Sequence, residues 1–220
     1  MPRYRPIVYI SGEQDEQFKK SLLDLGAIVK NQQDWWPKNG MFWRFLAIFE
    51  DDVDRVLVRD SDSEILEREI AAISDWERSG KEFHIMRDHP MHSAPILGGM
   101  WGAKTNFAKQ FMFKEDFNNY IDTKGQDQEY LATIYPKVIR SALVHDSFFN
   151  YERHRKPFPM QRIKYEYVGE PVDKDGNPLS LESRFFLKKV EESSVHLARI
   201  RIWFIYSMLK LKYKNTRSSL

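Results

Sequence analysis

Short apolar runs alternate with amphipathic stretches in the first half of the chain. Residues 6–10 and 27–29 are short apolar runs rich in β-branched side chains, and they predict two strands. Between them, apolar residues recur at helical spacing until Gly26 ends the pattern. A strand, a helix and a second strand are therefore predicted near the N-terminus.

The same order of elements recurs after residue 50. Residues 53–58 predict a strand, and residues 83–86 predict another. Between these strands, residues 63–80 predict a helix with Ser63 as its N-cap and Gly80 at its end. Such alternation predicts an α/β fold with an open, mainly parallel sheet flanked by helices.

The rest of the chain gives a less regular pattern. Residues 41–50 are apolar nearly all round, which predicts a buried helix. The other predicted elements are a loop rich in glycine and proline over residues 90–104, helices over 107–120 and 127–134, a buried strand at 143–144 and an irregular stretch over 151–185.

The end of the chain differs in composition from the part before it. Residues 1–190 predict one domain, whereas residues 191–220 combine basic side chains with Ile, Trp, Phe and Leu. Two interpretations of this tail stay open. It is either an interfacial helix in peripheral contact with an anionic membrane, or a helix packed on the domain with a solvated basic end.

Composition excludes several classes of function. Lys and Arg total 34 against 32 Asp and Glu, so the net charge is only +2, which argues against nucleic acid as a partner. The chain has no cysteine, which excludes disulfides, Cys-ligated zinc and thiol nucleophiles. No run of 18 apolar residues and no secretion signal occur, so a cytoplasmic location is expected.

The sharpest candidate for chemistry is Asp60-Ser61-Asp62, which directly follows the strand predicted at 53–58. In open α/β sheets, ligands gather at the carboxyl ends of strands. Two carboxylates one residue apart at such an edge can hold Mg²⁺ or Mn²⁺, which prefer oxygen ligands and bridge phosphates. The structural alternative is a polar strand end in which Asp62 or Ser63 caps the next helix.

A second candidate is the stretch that begins with Arg87 and Asp88 and continues to Gly98, Gly99 and Trp101. The two glycines allow the backbone to approach a ligand closely. Trp101 offers a flat face on which a sugar ring or a base can stack. This combination favours a binding loop over a purely structural one.

Two further residues carry weaker signals. Asp127 lies in the first turn of a predicted helix, where an acidic residue also complements the helix dipole. His145 follows an apolar run, and a histidine in that position is more often a half-buried structural residue than a ligand. Neither residue indicates a function by itself.

The order of these segments resembles the GT-A-fold glycosyltransferases that use nucleotide-sugar donors, and is most similar to small polysaccharide-building enzymes of bacteria and large viruses. The resemblance covers roughly residues 1–170 and rests on the stretches MFWRFLAI, VDRVLVRDSDS, HIMRDHPMHSAPILGGMWGAK, GQDQEYL and VHDS. It implies transfer of a sugar from a nucleoside-diphosphate donor to a glycan or another hydroxyl acceptor.

The resemblance also implies roles for single residues. Asp60 and Asp62 would bind Mn²⁺ or Mg²⁺ on the donor diphosphate, and His145 would complete the metal shell. Asp127 would lie at the acceptor side, as the base if the reaction inverts. The other residues implied to face the donor are Arg44, Ser61, Arg87, Asp88, Gly98, Gly99 and Trp101.

One departure from that family and two other functions complete the predictions. Residues 6–11 match the second strand of the GT-A pattern, so the expected fold lacks the first β-α unit. A phosphatase of the haloacid-dehalogenase type also places Asp-x-Asp after a strand, with the first Asp as nucleophile. A non-catalytic module that binds nucleotide sugars is the third possibility.

Overall fold

The protein is described here from a computed structural model that covers residues 4–11, 15–32, 40–121 and 123–193. The predictions for the basic tail beyond residue 193 lie outside the described residues. Within them, no helix is both long enough and apolar enough to cross a membrane.

The first two strands form a small sheet of their own. Strand β1 (Ile7–Ile10) pairs in parallel with β2 (Ile28–Asn31), and helix α1 (Glu16–Asp24) connects them. The predicted strand–helix–strand unit is therefore confirmed. Asp15 caps α1 because its carboxylate accepts a hydrogen bond from the Gln17 backbone N–H at 3.0 Å.

A four-stranded sheet forms the centre of the molecule, in the order β3-β5-β4-β6. Its strands are β3 (Arg55–Arg59), β4 (Phe83–Arg87), β5 (Met100–Lys104) and β6 (Ala142–Asp146). Strand β5 is antiparallel to both β3 and β4, whereas β4 and β6 are parallel. The α/β class is confirmed, and the sheet is mixed: β3, β4 and β6 run in one direction, whereas β5, which forms inside the predicted loop, runs antiparallel to its two neighbours.

The sequence pattern did not predict strand β5, because this strand contains Gly102. A Cβ at Gly102 would lie 2.9 Å from Leu57 Cδ2 and 3.0 Å from the Trp76 ring, so only glycine lets helix α2 (Glu67–Ser79) pack this closely on the sheet. Glycine is normally a strand breaker in sequence patterns. Gly102 therefore kept β5 from being predicted as a strand, although the packing of α2 on β5 requires a glycine at this position.

The helices match the predictions in part. Helix α2 ends at Gly80 with a φ of 71°, as predicted, but its N-cap is Leu66 and not Ser63. Helix α4 (Gln126–Val138) is confirmed and longer than predicted. The stretch over 107–120 is split into α3 (Thr105–Ala108) and a 3₁₀ helix (Lys114–Asn119). The buried helix predicted over 41–50 is a 3₁₀ helix, Gly40–Phe49.

Each face of the large sheet packs against a different set of elements. On one face, Val56 and Trp101 belong to a core shared with the 3₁₀ helix Gly40–Phe49 and with α4. On the other face, Leu57 and Leu143 pack against α2 through Ile73 and Trp76. Because side chains alternate along a strand, β3 contributes to both cores.

A final helix, α5 (Leu181–Glu192), packs outside the sheet. Its residues Leu187 and Val190 are fully buried against Phe148, Phe149 and Tyr167. Ser180 caps it by accepting a hydrogen bond from the Ser183 backbone N–H at 3.3 Å. The helix crosses the predicted domain boundary at residue 190.

Candidate functional site

Three charged side chains and two glycines meet where β3 ends. Arg44 comes from the 3₁₀ helix Gly40–Phe49, Asp60 directly follows β3, and Asp127 lies in the first turn of α4. An ion pair joins Arg44 Nη1 to Asp60 Oδ1. The 3₁₀ helix that precedes β3 thus brings a cation to the end of this strand, and α4, which is remote in sequence, brings a second carboxylate.

Gly98 and Gly99 form the floor of this cluster. A Cβ at Gly98 would lie 3.0 Å from Asp127 Cγ and 3.6 Å from Arg44 Nη1, and it would collide with Asp127 Oδ2. A Cβ at Gly99 would collide with the Asp60 carboxylate and lie 2.7 Å from the Asp60 backbone nitrogen. The predicted close approach of backbone therefore occurs, and it is an approach to the two carboxylates.

Asp127 has an unusual environment for a carboxylate. The residue is only 1% exposed, and its Oδ1 has no hydrogen-bond partner in the described part of the chain. Burial raises the pKa of Asp127, the Arg44 charge opposes that shift, and the Asp60 charge adds to it. A buried carboxyl with a raised pKa and a free oxygen is the form that a general base takes.

Asp60 is more accessible, with 42% of its side chain exposed against 25% for Arg44. Its backbone is held by Ser63, whose hydroxyl donates to the Asp60 carbonyl at 3.1 Å. Arg59 donates to Ser63 Oγ at 3.1 Å and to the Gly99 carbonyl at 3.3 Å. Ser63 therefore orders the turn after β3, which is the physical reason that it is not free to cap α2.

Arg59 is a residue that the sequence analysis missed. It links the turn at Asp60 to the glycine floor, and its Nε lies 3.0 Å from the buried Glu69 in an ion pair without hydrogen-bond geometry. A basic residue at the end of a strand is too common to indicate this role. The signal lies in its tertiary partners, which the sequence does not show.

The predicted metal ligands are brought together only in part. Ser61 and Asp62 are exposed in the turn after β3. The Asp62 backbone carbonyl accepts a hydrogen bond from the Val172 N–H at 2.7 Å, and this bond does not involve the Asp62 carboxylate. Across residues 4–11, 15–32, 40–121 and 123–193, no three carboxylate or imidazole groups are arranged to hold a metal ion.

His145 does not belong to this cluster. It lies on β6, the outer strand opposite to β3, and three strand spacings put about 14 Å between those two strands. Its Nδ1 is 2.8 Å from His84 Nε2, and its Nε2 is 3.4 Å from Asp75 Oδ2. The predicted set of Asp60, Asp62 and His145 is therefore corrected, because the imidazole is buried at the far edge of the sheet.

Arg87 has its binding groups occupied inside the protein. The side chain is fully buried and donates to Asp146 at 2.6 Å, to Glu152 at 2.5 Å and to the Pro95 carbonyl at 2.7 Å. Its guanidinium also lies over the ring of Tyr151. The geometry gives Arg87 a structural role and does not support the predicted contact with a donor.

Both carboxylate oxygens of Asp88 also accept hydrogen bonds within the protein. Arg68 binds its two carboxylate oxygens at 2.9 Å each, and Arg162 and Ser147 donate to Oδ1 at 3.0 and 2.6 Å. The Val168 N–H donates to Oδ2 at 3.1 Å. Asp88 therefore ties the irregular stretch after β6 to the end of β4, and it is not aimed at the cluster.

Trp101 is buried in the core, so it offers no face to a ligand. Its ring stacks on Phe83 with centroids 5.1 Å apart, and the edge of Phe45 contacts it at 5.4 Å. The indole N–H donates to the Gly98 carbonyl at 3.2 Å. Trp101 thus positions the glycine floor, which corrects its predicted role as a stacking platform.

Comparison with known proteins adds no family to this description. No family model, no curated protein and no solved structure matches the chain.

The cluster at the end of β3 combines three chemical features. Arg44 offers a positive charge for an anionic ligand, Asp60 and Asp62 offer accessible oxygens, and Asp127 offers a buried carboxyl with an unsatisfied oxygen. We refer below to Arg44, Asp60, Gly98, Gly99 and Asp127 as the β3-end cluster.

Proposed function

We propose that the protein transfers a sugar from a nucleoside-diphosphate donor to a hydroxyl group of a glycan or similar acceptor. The observation that carries this proposal is the convergence of Arg44, Asp60 and Asp127 on the Gly98–Gly99 backbone.

On the donor side, Arg44 and the accessible acidic residues face the leaving group. Arg44 neutralises negative charge that builds up on a departing diphosphate. Asp60 and Asp62 supply the oxygen ligands that Mn²⁺ or Mg²⁺ prefers, although Arg44 already engages one oxygen of Asp60. A divalent cation held there would act as a Lewis acid on the diphosphate and would take most of its ligands from it.

On the acceptor side, Asp127 handles the proton. If the reaction inverts, Asp127 Oδ1 accepts the acceptor hydroxyl proton while that oxygen attacks the anomeric carbon and the bond to the diphosphate breaks. Because burial raises the pKa of Asp127, the carboxylate is more basic than an exposed one. If the reaction retains configuration, Asp127 orients sugar hydroxyls and no base is needed.

The proposal is tested with a panel of nucleotide sugars, each incubated with the protein in the presence and absence of Mn²⁺. The quantity measured is release of the nucleoside diphosphate. We expect one donor to be consumed, with Asp127→Asn slower by about 10², the scale of general-base catalysis. Glu129→Gln is the matched control, because Glu129 is an exposed acid in the same turn of α4.

Each other outcome assigns a different function. Donor binding without turnover would identify the non-catalytic module. Protection of the fold by vanadate, together with phosphatase activity that Asp60→Asn abolishes, would identify the haloacid-dehalogenase type. Turnover that is unchanged in Asp127→Asn would remove this residue from the base role and favour a retaining reaction.

A further inference from the structure

A groove of about 970 Å³ lies between the two sheets, and its lining reaches from β3 to β1. All five residues of β3, Arg55–Arg59, line it. Because successive side chains point to opposite faces of a sheet, five consecutive residues share one cavity only along the edge of their strand. The groove therefore follows the edge of β3 that does not face β5.

The backbone of β3 leaves free groups along this edge. The Thr105 N–H donates to the Asp54 carbonyl at 2.9 Å, which makes these two residues a hydrogen-bonded pair at the end of the β3–β5 ladder. Such pairs alternate along antiparallel strands, so every second residue after Asp54 also directs its N–H and C=O at β5. The residues between them, Arg55, Leu57 and Arg59, direct theirs into the groove. Their backbone groups have no partner there among the described residues.

Strand β1 presents the same kind of edge from the other side of the groove. In the β1–β2 ladder, the carbonyls of Pro6 and Ile10 accept hydrogen bonds from the β2 side at 2.8 and 2.7 Å. Backbone groups of successive residues point to opposite edges of a strand, so Ile7 and Tyr9 direct theirs away from β2. Ile7 and Tyr9 are the two residues of β1 that line the groove. In the part of the chain that the structure describes, β2 is the one neighbour of β1.

The spacing of these free groups and the size of the groove fit one extended polypeptide. Free N–H and C=O groups recur at every second residue on both edges, which is the repeat that a strand laid between them offers. A strand of five residues is about 17 Å long, takes about 4.8 Å beside its neighbour and fills about 10 Å between packed layers, which is roughly 800 Å³. The groove of about 970 Å³ therefore holds one strand and not two.

Helix α2 closes one face of the groove, and this face holds unsatisfied polar atoms. Glu69, Ile73 and Glu77 are four residues apart and form one stripe along it. Glu69 is fully buried, and neither of its carboxylate oxygens makes a hydrogen bond within the described residues. The Nε atoms of Arg55 and Arg59, which also line the groove, are buried without such a bond as well. An occupant therefore needs hydrogen-bonding side chains on the face that it turns to α2.

The charges of the lining favour uncharged donors on that face. The lining holds five basic and four acidic side chains, which are Arg5, Arg44, Arg55, Arg59 and Lys104 against Asp52, Asp54, Glu69 and Glu77. Because these charges nearly balance, a further charge would be buried without a partner, whereas Thr, Ser and Asn donate as neutral groups. The opposite wall is apolar, because Ala47 of the 3₁₀ helix Gly40–Phe49 lies there beside Val56 and Val58.

We propose that the groove binds an extended peptide of a partner protein, which adds a strand between β1 and β3. Its Thr, Ser or Asn side chains face α2, where one of them donates to Glu69, and its Val or Ile side chains face the 3₁₀ helix Gly40–Phe49. In recognition by strand addition, backbone hydrogen bonds supply affinity and alternate side chains supply specificity. The inference goes beyond the proposed function and does not rest on it, because peptide binding is measured without any nucleotide sugar.

Amide exchange of the protein without peptide tests whether the two edges are free. The amides of Ile7, Tyr9 and Leu57 should exchange about 10² times faster than those of Val56 and Val58, which pair with β5, because a paired strand amide exchanges only after local opening. Equally slow exchange at all five positions would mean that both edges are already paired, and would overturn the proposal. If sedimentation then shows a dimer, the occupant is a second copy of the chain.

The probe for binding is the peptide acetyl-Lys-Val-Thr-Val-Thr-Val-Thr-Val-Lys-amide, titrated into the full chain. Its control is the same peptide with N-methylated threonine amides, which keeps the side chains but loses the N–H donors toward one edge. We expect the probe to bind with a dissociation constant below about 1 mM and to slow exchange at Ile7, Tyr9 and Leu57, and the control to bind about tenfold more weakly or less. No binding of the probe at about 1 mM, or equal binding of the two peptides, would overturn the proposal.

Matched substitutions on β3 test the same pairing from the side of the protein. Leu57→Pro removes an N–H that faces the groove and no bond to β5, and an edge strand tolerates proline at such a position. Leu57→Ala shortens the same side chain and keeps the N–H. We expect the probe to bind about tenfold more weakly to Leu57→Pro than to Leu57→Ala, with exchange at Val56 and Val58 equally slow in both. Equal affinity contradicts the pairing, and Ile7→Pro against Ile7→Ala repeats the comparison on β1 if Leu57→Pro does not fold.

Discussion

The β3-end cluster and the region around Arg87 and Asp88 are both rich in charge, and both lie at the carboxyl end of a strand. They differ in how well their polar atoms are paired. Each polar atom of the Asp88 carboxylate has a donor, whereas Asp127 Oδ1 has none in the described residues. A charged residue that is saturated within the fold holds the structure together, and one with unsatisfied atoms beside an open surface is available to a ligand.

The largest expected difference between the two regions is in stability. Arg87→Leu leaves Asp146 and Glu152 buried without their cation, and we expect it to lower the free energy of unfolding by about 3–5 kcal/mol. Denaturant unfolding measures this loss. Arg140→Leu, at an exposed arginine, is the control and should stay within about 0.5 kcal/mol of the unchanged protein. A small effect of Arg87→Leu would contradict the structural role given to that region.

Asp127→Asn should separate activity from stability. We expect transfer to fall by about 10². The midpoint of thermal unfolding should be unchanged or higher, because the raised pKa of Asp127 means that folding disfavours its charged form. Calorimetric unfolding and diphosphate release measure the two effects. A clear loss of stability in this variant would place Asp127 with the saturated residues.

The buried histidines predict a dependence of stability on pH. Burial lowers the pKa of His145 from 6.5 to about 4 and that of His84 well below 6.5. The unfolded chain therefore binds protons that the folded protein excludes, so stability is full above pH 6.5 and is lost as the pH falls toward 4. His145→Gln should reduce this slope by about 1.4 kcal/mol per pH unit.

Denaturant unfolding at pH 7, 6 and 5 measures that slope. His154→Gln is the matched control, because His154 is exposed. An equal slope in His145→Gln and in the unchanged protein would contradict the burial of a neutral imidazole on β6.

The smallest expected effect is the stability change on breaking the ion pair of the cluster. Arg44 and Asp60 are both partly exposed, so solvent screens their attraction, and Arg44→Ala should cost less than about 1 kcal/mol. Denaturant unfolding of Arg44→Ala and of Arg87→Leu, measured side by side, compares the two losses in the free energy of unfolding. A loss as large as that of Arg87→Leu would remove the distinction between the two regions.

Sequence patterns predicted much of this fold and part of the site. Strands β1, β3, β4 and β6 and helices α2 and α4 follow from apolar spacing and from Gly80 as a helix end. Strand β5 did not, because Gly102 is explained only by the close approach of Trp76. Ser63 has the chemistry of an N-cap, but the turn at Asp60 uses its hydroxyl.

The candidate residues show the same limit. Asp60 was marked by its position after a strand, and Gly98 and Gly99 by their freedom to approach other groups closely. Arg87 and Asp88 had equally suitable side chains, yet both are satisfied by partners more than 15 positions away in sequence. His145 had one too, but β6 places it at the opposite edge of the sheet from β3. Which charged residue stays unsatisfied depends on tertiary contacts, and a single sequence does not contain that information in a readable form.

The claim that the β3-end cluster is the ligand site is tested most directly by calorimetric titration of a nucleoside diphosphate with Mn²⁺ into three proteins. These are the unchanged chain, Arg44→Ala and Arg140→Ala, an exposed arginine outside the cluster. We predict binding to the unchanged chain and to Arg140→Ala with equal affinity, and at least tenfold weaker binding to Arg44→Ala. Equal affinity for all three proteins, or no binding by any of them, would contradict the assignment of this cluster as a diphosphate site.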